Sequence, residues 1–482
     1  TDPMQDKEPQ THGVLLRAKN GDVIGFDETG LRMNLSDSVI ADIHRRLPEG
    51  GEVTLDPAVL GDVDAWNLRQ RGDWYIFSAN LPGAQGPRQF RRRVQADAEA
   101  SAPDIIADTP GAVYALLALG GPRRAVTASE RLSFPYHVVT TGDDLGPAGA
   151  SGTERNAASG LMQQVTEQTR DSLIADEILR RRQAQHRALP LIYTRSETDS
   201  TASVAALSDG MAFNNFGQTV ANLCAAGRSL GKSVKVLAVS LDFTLEDVIS
   251  TGPKWRLGTY ILMTRITELF ADHGIRKPLF TAVFDAGSCD ISDSAVMRAQ
   301  WELAWNKGGH DHVYTAPGYM FSQDEFGRPT PEARIEMAEM DACAIEAYNS
   351  DAPWSCPVLL LAEREADGRV IRCRGQAMGA FIIDTDDPLN AGESYGFRFE
   401  GDTQAARILD VRVDTKDRND LLITCDKPPK GKDLTLCYAV GHPASNDGMP
   451  ANRGALRDSF GYVSATGRML HRWALPAALP VH

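Results

Sequence analysis

The sequence is poor in cysteine and has no long apolar run. Its seven cysteines form no Cys-x-x-Cys pair. This odd, scattered set argues against a zinc site and predicts reduced thiols in a chain that folds in the cytoplasm. No stretch of about 18 apolar residues occurs, so we expect no membrane-spanning helix. No basic and apolar leader opens the sequence, so we expect no secretory signal peptide. These features remain compatible with work outside the cell after release.

Positive charge is also in short supply. Lys and Arg total 50 against 64 Asp and Glu, which gives a net charge of −14. Binding a phosphate backbone needs a basic surface, so the composition argues against nucleic acid as the partner. With 482 residues, 42% of them apolar, the chain can form a large core and is too long for one ordinary domain.

The spacing of apolar and turn-forming residues changes along the chain and predicts five segments. In order, these are a small N-terminal β-rich domain (4–95), a connector (96–130), an α/β domain with a parallel sheet (131–350), a β-sandwich (351–450) and a C-terminal tail without clear elements (451–482). Asn20-Gly21 predicts a hairpin turn in the first segment, and residues 36–46 a short helix. The connector is predicted to contain one short apolar helix near 112–119.

Within the α/β segment, strands alternate with helices. The predicted strands are 136–141, 189–194, 234–241, 279–284 and 312–316, and the predicted helices are 164–182, 215–230, 256–272, 295–306 and 331–348.

One stretch stands out as a candidate site. The β-branched strand Tyr136–Thr141 ends at a glycine turn with two adjacent carboxylates, Asp143 and Asp144. Ligands of open α/β sheets gather at the carboxyl ends of strands. The sequence Gly-Asp-Asp-Leu at this turn resembles the first block of the SGNH (GDSL-type) hydrolases, whose nucleophilic serine follows Gly-Asp. Asp144 stands at that position, and a carboxylate is a poor acyl-transfer nucleophile. Alternatively, the two aspartates cap the segment that follows.

The remaining blocks of this resemblance are also altered. The segment 194–200, where the family places an oxyanion glycine, contains no glycine. The third block falls either on 243–247, which keeps only Asp247, or on 287–290. The helix start Thr330-Pro331-Glu332 fits the last block and puts Glu325 at the family's acid and Arg328 at its histidine. Arginine stays protonated and cannot accept a proton from serine. Alternatively, Arg328 holds its loop by pairing with Glu325 or Asp324.

The end of the chain carries a second resemblance. Residues 452–459, with the sequence Asn-Arg-Gly-Ala-Leu-Arg-Asp-Ser, are similar to the closing motif of SGNH-type domains in tail and spike proteins of tailed phages and gene transfer agents. This resemblance implies a particle-surface protein that binds host capsular polysaccharide outside the cell. It also implies that the N-terminal domain attaches the chain to a particle anchor protein.

The resemblance implies a three-layer, SGNH-like α/β domain. We therefore predict a catalytically inactive, SGNH-like carbohydrate-binding protein that needs no cofactor or metal and could form homo-oligomers. Aromatic residues expected on loops near strand ends would stack on sugar rings. The candidate ligand-binding residues are Asp143, Asp144, Arg195, Ser196, Asp247, Trp255, Tyr319 and Arg328.

Two alternatives remain open. The first is an active carbohydrate esterase or depolymerase, with Ser196 or Ser288 as nucleophile and His310 or His312 as base, or with Asp144 and Glu325 as a glycosidase pair. The second is a purely structural connector.

Overall fold

The chain divides into two units, residues 1–77 and 78–482. The structure is a computed structural model, and it describes residues 13–17, 19, 22–27, 30–37, 39, 52–95, 102–128, 130–150, 152, 154–242, 249–289 and 291–482. In these residues no helix combines the length and the apolar character needed to cross a membrane.

The first unit consists of short antiparallel strands. Strands β1 (Gly13–Arg17), β2 (Val23–Asp27) and β3 (Gly30–Asn34) form one sheet in that order. Strand β4 (Val53–Thr54) pairs with β5 (Ala65–Arg71), and β6 (Trp74–Ala79) follows. These strands confirm the β-rich character predicted for the start of the chain. The Asn20-Gly21 turn and most of the helix predicted at 36–46 lie outside the described residues.

A seven-stranded sheet dominates the second unit, after the antiparallel pair β7 (Arg88–Arg93) and β8 (Ile105–Ala107). Its strands are β9 (Val113–Gly120), β10 (Val138–Thr141), β11 (Met162–Gln164), β12 (Leu191–Thr198), β13 (Val234–Ser240), β14 (Leu279–Phe284) and β15 (Asp311–Pro317). The order is β11-β10-β12-β9-β13-β14-β15, and only β11 runs antiparallel to its neighbour. The predicted parallel sheet is confirmed.

Six α-helices of the described residues accompany this sheet. They are α1 (Arg170–Ala184), α2 (Val204–Leu207), α3 (Met211–Ser229), α4 (Gly252–Asp272), α5 (Ala295–Trp305) and α6 (Pro331–Asn349). Helices α1 and α6 pack together and share a core with Leu116 and Val138. On the opposite face, Phe216 of α3 stacks on Phe270 of α4. The helices therefore cover both faces and produce three layers, as predicted.

The last part of the chain is antiparallel. Its strands are β16 (Val358–Arg364), β17 (Val370–Gln376), β18 (Ile382–Ile383), β19 (Phe397–Glu400), β20 (Ile408–Val413), β21 (Asp420–Cys425), β22 (Thr435–Tyr438), β23 (Leu456–Val463), β24 (Met469–Trp473) and β25 (Ala477–Pro480). They form three sheets, β16-β17-β21-β20, β18-β23-β24 and β19-β22-β25, rather than the two of a simple sandwich. One hydrophobic core joins these sheets to Tyr319 and Met337 of the α/β part.

Two predictions about secondary structure are wrong. The segment near 112–119 is not a helix but β9, the central strand, and all but one of its residues are buried. A short, continuously apolar run fits a buried strand and a buried helix equally well, and periodicity alone does not separate them. The tail 451–482, predicted to have no clear element, contains three strands. Two of these, β23 and β25, complete sheets that begin more than fifty residues earlier.

Candidate ligand-binding cleft

A cleft of about 120 Å³ opens at the carboxyl ends of β9, β13, β14 and β15. The turns that follow these strands line it, together with the first residue of α1 and the first turns of α6. Its charged lining consists of Arg123, Arg124, Arg170, Arg328, Arg334, Asp242 and Asp285. This is the edge of an open parallel sheet at which ligands bind, so the cleft is the candidate functional site.

The floor of the cleft is a network of buried ion pairs. Arg124, in the turn after β9, pairs through Nε with Asp171 at 3.1 Å and through Nη1 with Asp242 at 2.5 Å. Arg170 pairs through Nη1 with Asp242 at 2.6 Å and through Nε with Asp341 at 2.7 Å. Asp242 also accepts a hydrogen bond from the N–H of Val283 at 2.9 Å. The network therefore ties β9, β13 and β14 to helices α1 and α6.

The charges of this network stabilise one another. Burial alone would raise the pKa of Asp242, but Arg170, Arg124 and the N–H of Val283 outweigh it and lower that pKa. Burial likewise opposes the charge of Arg124, and the facing carboxylates of Asp171 and Asp242 raise its pKa despite this. Both groups stay ionised, and both oxygens of Asp242 already accept hydrogen bonds from the protein.

The rim is formed by the loop before α6. Arg328 pairs through Nε with Asp324 at 3.0 Å, and its guanidinium carbon lies 4.9 Å from the ring centre of Phe326. The open alternative that Arg328 pairs with Asp324 is therefore confirmed. Gln323 donates from Nε2 to the carbonyl of Gly287 at 3.0 Å, while its Oε1 is buried without a hydrogen-bond donor among the described residues. Arg328 and Gln323 both line the cleft.

The closing motif at 452–459 supports the wall of the cleft. Asn452 is fully buried and donates to the carbonyls of Ala286 at 2.9 Å and Ser292 at 2.6 Å. The N–H of Gln323 donates to the carbonyl of Gly448 at 2.8 Å. The β-sheet region therefore fixes two loops that line the cleft.

The stretch predicted to carry the site lies elsewhere. Strand β10 is separated from central β9 by β12, and Arg195 binds Asp143 through two hydrogen bonds of 3.1 and 2.8 Å. Arg195 also donates to Glu197 at 2.9 Å, and all three side chains are at most 1% exposed. This ion cluster is a packed part of the structure. Ligand contact by Asp143 or Arg195 stays a prediction that their burial opposes.

The turn itself agrees better with the capping alternative. Asp143 accepts a hydrogen bond from the N–H of Leu145 at 3.2 Å, which closes a local turn. Asp144 is exposed and has a φ of +62°, in the left-handed region. Neither residue lines the cleft.

The other candidate ligand-binding residues that the structure describes lie in different parts of the fold. Ser196 is buried on β12, and Asp247 lies outside the described residues. Two aromatic residues expected on loops are core residues instead. Trp255 belongs to α4 and is 3% exposed, and fully buried Tyr319 donates to the carbonyl of Ala474 at 2.6 Å. Their rings pack in the hydrophobic core. Sequence alone does not distinguish such a buried position from one on a loop.

The structure does not bring together the serine and histidine pairs of the esterase alternative. His312 lies near the start of β15, whereas the cleft lies beyond its end. Strand β15 continues for five residues beyond His312, so His312 lies about 16 Å from the end of the strand at the cleft. His312 is also completely buried, which lowers its pKa to about 3. Ser288 Oγ accepts from the N–H of Ile291 at 3.1 Å in the β14–α5 loop.

Sequence reasoning missed most of the cleft. Of the candidate residues that the structure describes, Arg328 alone lines it, and the sequence does not point to Arg123, Arg124, Arg170, Asp242 or Arg334. Arg123 and Arg124 are absent from the candidates because the apolar run of β9 predicts a helix within a connector. A Gly-Gly-Pro turn at the end of an apolar run was the signal that could have found them.

Fold and site define an α/β protein whose arginine-lined cleft lies at the carboxyl edge of a parallel sheet. A scan against protein-family models and a search of curated proteins each found no match. Among solved structures, the chain is similar to a carbohydrate acetylesterase from Xanthomonas citri, with 13% identity over 95% of this chain and 90% of that chain and a TM-score of 0.48. It is also similar to a protein from Arabidopsis thaliana, with 12% identity over 48% of this chain and 98% of that chain and a TM-score of 0.33.

Proposed function

We propose that the protein binds carbohydrate in the cleft without hydrolysing it, as a receptor-binding subunit of a virus-like particle that recognises host capsular polysaccharide. The observation that carries this proposal is Arg328 on the rim of the cleft. The SGNH resemblance assigns the catalytic histidine to this position. A guanidinium remains protonated and cannot serve as a general base, but it donates paired hydrogen bonds to ligand oxygens.

The chemistry of the lining supports binding over acyl transfer. Acyl transfer needs a nucleophile activated by a base. Among the described residues that line the cleft, every titratable side chain is an arginine or an aspartate. The central strand β9 ends in the sequence Gly120-Gly121-Pro122, which offers no side-chain nucleophile.

Asp242 in the same lining does not suit the acid step of glycoside hydrolysis. That reaction requires one carboxylic acid whose pKa is raised so that it can protonate the leaving group. Asp242 is held as an anion by two arginines, and its pKa is lowered. It therefore stabilises the structure of the cleft and does not act as the acid.

Several features suit a sugar ligand. Phe321, Met337, Val126 and Pro329 give the cleft apolar surface, and the guanidinium groups and Gln323 add converging polar groups. This combination is typical of small-molecule sites. A single site of this size binds weakly, and display of many copies on a particle would raise the overall affinity. In this proposal, residues 4–95 attach the chain to a particle anchor protein.

The proposal is tested by adsorption of the purified chain to encapsulated and capsule-free cells of one bacterial strain. We expect binding to encapsulated cells only, and loss of binding in the Arg328→Ala variant. Arg412→Ala is the matched control, because Arg412 is 59% exposed on β20, away from the cleft. In parallel, acetate release and chain shortening are measured with acetylated polysaccharide. Turnover by the wild-type chain, or equal adsorption to both cell types, would contradict the proposal.

A further inference from the structure

We infer that the cleft selects an acidic sugar, and that Arg334 and Arg328 bind its carboxylate. This inference rests on the proposed function, because it names the class of sugar that the same cleft would take. Five guanidinium groups and two carboxylates face the cleft. Charged groups that already hydrogen-bond to the protein contribute less to the charge that a ligand meets than groups without such partners.

Both carboxylates already accept hydrogen bonds from the protein. Asp242 accepts from Val283, Arg124 and Arg170 with both of its oxygens. Asp285 accepts from the N–H of Gly287 at 2.7 Å. Since these donors already neutralise or solvate the acids, their repulsion of an incoming anion is reduced.

Arg334 is the first cation available to a ligand. It lies in the first turns of α6 and is half-buried at the cleft. Its guanidinium has no ion pair or hydrogen bond with the part of the chain that the structure describes. Partial burial of a charge without a partner is unfavourable, and an anion in the cleft would relieve that cost.

Arg328 is the second cation available to a ligand. Its Nε is occupied by Asp324, and Phe326 lies against the guanidinium face. Among the described residues, nothing pairs with its two terminal nitrogens. These nitrogens form the flat, two-donor edge that matches the two oxygens of a carboxylate. The pairing with Asp324 and Phe326 holds that edge in place, so less entropy is lost on binding.

The net charge of the chain and the volume of the cleft further restrict the class of ligand. The chain carries a net charge of −14, so its surface as a whole repels polyanions. An arginine-lined cleft then sets where an acidic glycan can dock and in which orientation. A volume of about 120 Å³ is below the ~150 Å³ of a cavity that holds one benzene ring. The cleft therefore encloses only the carboxylate-bearing part of one acidic residue, and the rest of the glycan lies outside it.

The test uses matched pairs of oligosaccharides on a glycan array, followed by affinity measurements in solution. The acidic probes are hyaluronan and alginate oligosaccharides and sialyllactose. Their partners are the carboxyl-reduced hyaluronan and alginate oligosaccharides and lactose, and a carrageenan oligosaccharide supplies sulfate on a neutral sugar. We expect at least one acidic probe to bind about tenfold more tightly than its partner, the difference that one charged hydrogen-bonded contact supports. Added NaCl should weaken binding of that acidic probe more than binding of its neutral partner.

The outcomes separate the two proposals. Equal or tighter binding of the neutral partners would overturn the acidic ligand and leave carbohydrate binding intact. Equal binding of the sulfated probe would overturn the selection of a carboxylate. Retention of no glycan at all would overturn the proposed function together with this inference.

Variants test the two arginines directly. Arg334→Gln and Arg328→Gln should each lower the affinity for the acidic probe about tenfold and lower the affinity for its neutral partner by clearly less. Arg412→Gln should change neither affinity. If Arg334→Gln lowered both affinities in parallel, or only the melting temperature, Arg334 would have a structural role and the inference would fail.

Discussion

The buried cluster around Arg195 allows a sharp test of whether the Gly142–Leu145 turn is structural. We predict that Arg195→Met strongly destabilises the α/β part of the chain and leaves glycan binding by the folded molecule unchanged. The substitution keeps most of the apolar stem and removes the guanidinium. That group makes four hydrogen bonds, two to Asp143, one to Glu197 and one to the carbonyl of Gly146.

The magnitude follows from the burial of the partners. Asp143 would keep a buried charge without its counter-ion, and breaking such a pair costs about 3–5 kcal/mol. Glu197 adds less, because burial raises its pKa despite Arg195, Thr219 and Asn156, and it can take up a proton. A domain of this size has a total stability of about 5–15 kcal/mol. The melting temperature should therefore fall by about 6 °C or more.

The assay is urea unfolding and thermal melting at pH 7, with glycan affinity measured below the transition. Arg407→Met is the control, because Arg407 is 79% exposed beside Asp426, and it should leave the melting temperature unchanged. The double variant Arg195→Met, Asp143→Leu should recover part of the loss, since it removes the stranded charge. An unchanged melting temperature in Arg195→Met, or loss of glycan binding at full stability, would refute the structural interpretation.

Three further predictions concern pH and the wall of the cleft. Burial lowers the pKa of His312 to about 3 and that of His137 to about 4, so the unfolded chain binds more protons than the folded chain below the ordinary histidine pKa of about 6.5. The free energy of unfolding should therefore fall as pH drops from about 6.5 toward 4, and His312→Gln should flatten that fall in urea titrations; an equal slope would contradict it. Asn452→Ala removes the hydrogen-bond donor of two carbonyls in the wall of the cleft. The free energy of unfolding should fall by about 1–3 kcal/mol, and glycan binding should weaken. Unchanged affinity would show that the wall does not need this support. Gly287→Ala should lower stability, because φ is +83° there and a Cβ would lie 1.9 Å from the carbonyl oxygen of Ile291; a melting temperature equal to wild type would count against this.

Local patterns in the sequence were sufficient for much of the fold. Thr330-Pro331 predicted the start of α6, and the structure confirms that the Thr330 hydroxyl accepts from the N–H of Ala333 at 3.2 Å. The strands and helices of the α/β part were also predicted within a few residues, apart from β9, the short edge strand β11, helix α2 and the start of α1. Such signals are readable because capping and amphipathic spacing involve residues within about one or two turns of each other.

The same is true of one residue that lines the cleft, Arg328. The SGNH resemblance puts Arg328 at the family's histidine position, and its pairing with Asp324, four residues away, is one of the alternatives that the sequence leaves open. The pairing depends only on short-range spacing.

Only the tertiary structure determines where the candidate site, the cleft, lies. The sequence did not show that β9 is the central strand, because parallel strands are joined by long crossovers and local periodicity does not specify their order. Arg124 meets Asp171 and Asp242 across 47 and 118 residues. Arg195 meets Asp143 across 52 residues, and the two side chains form a buried ion pair. Charges so far apart in sequence become partners only when the sheet order brings their strand ends together.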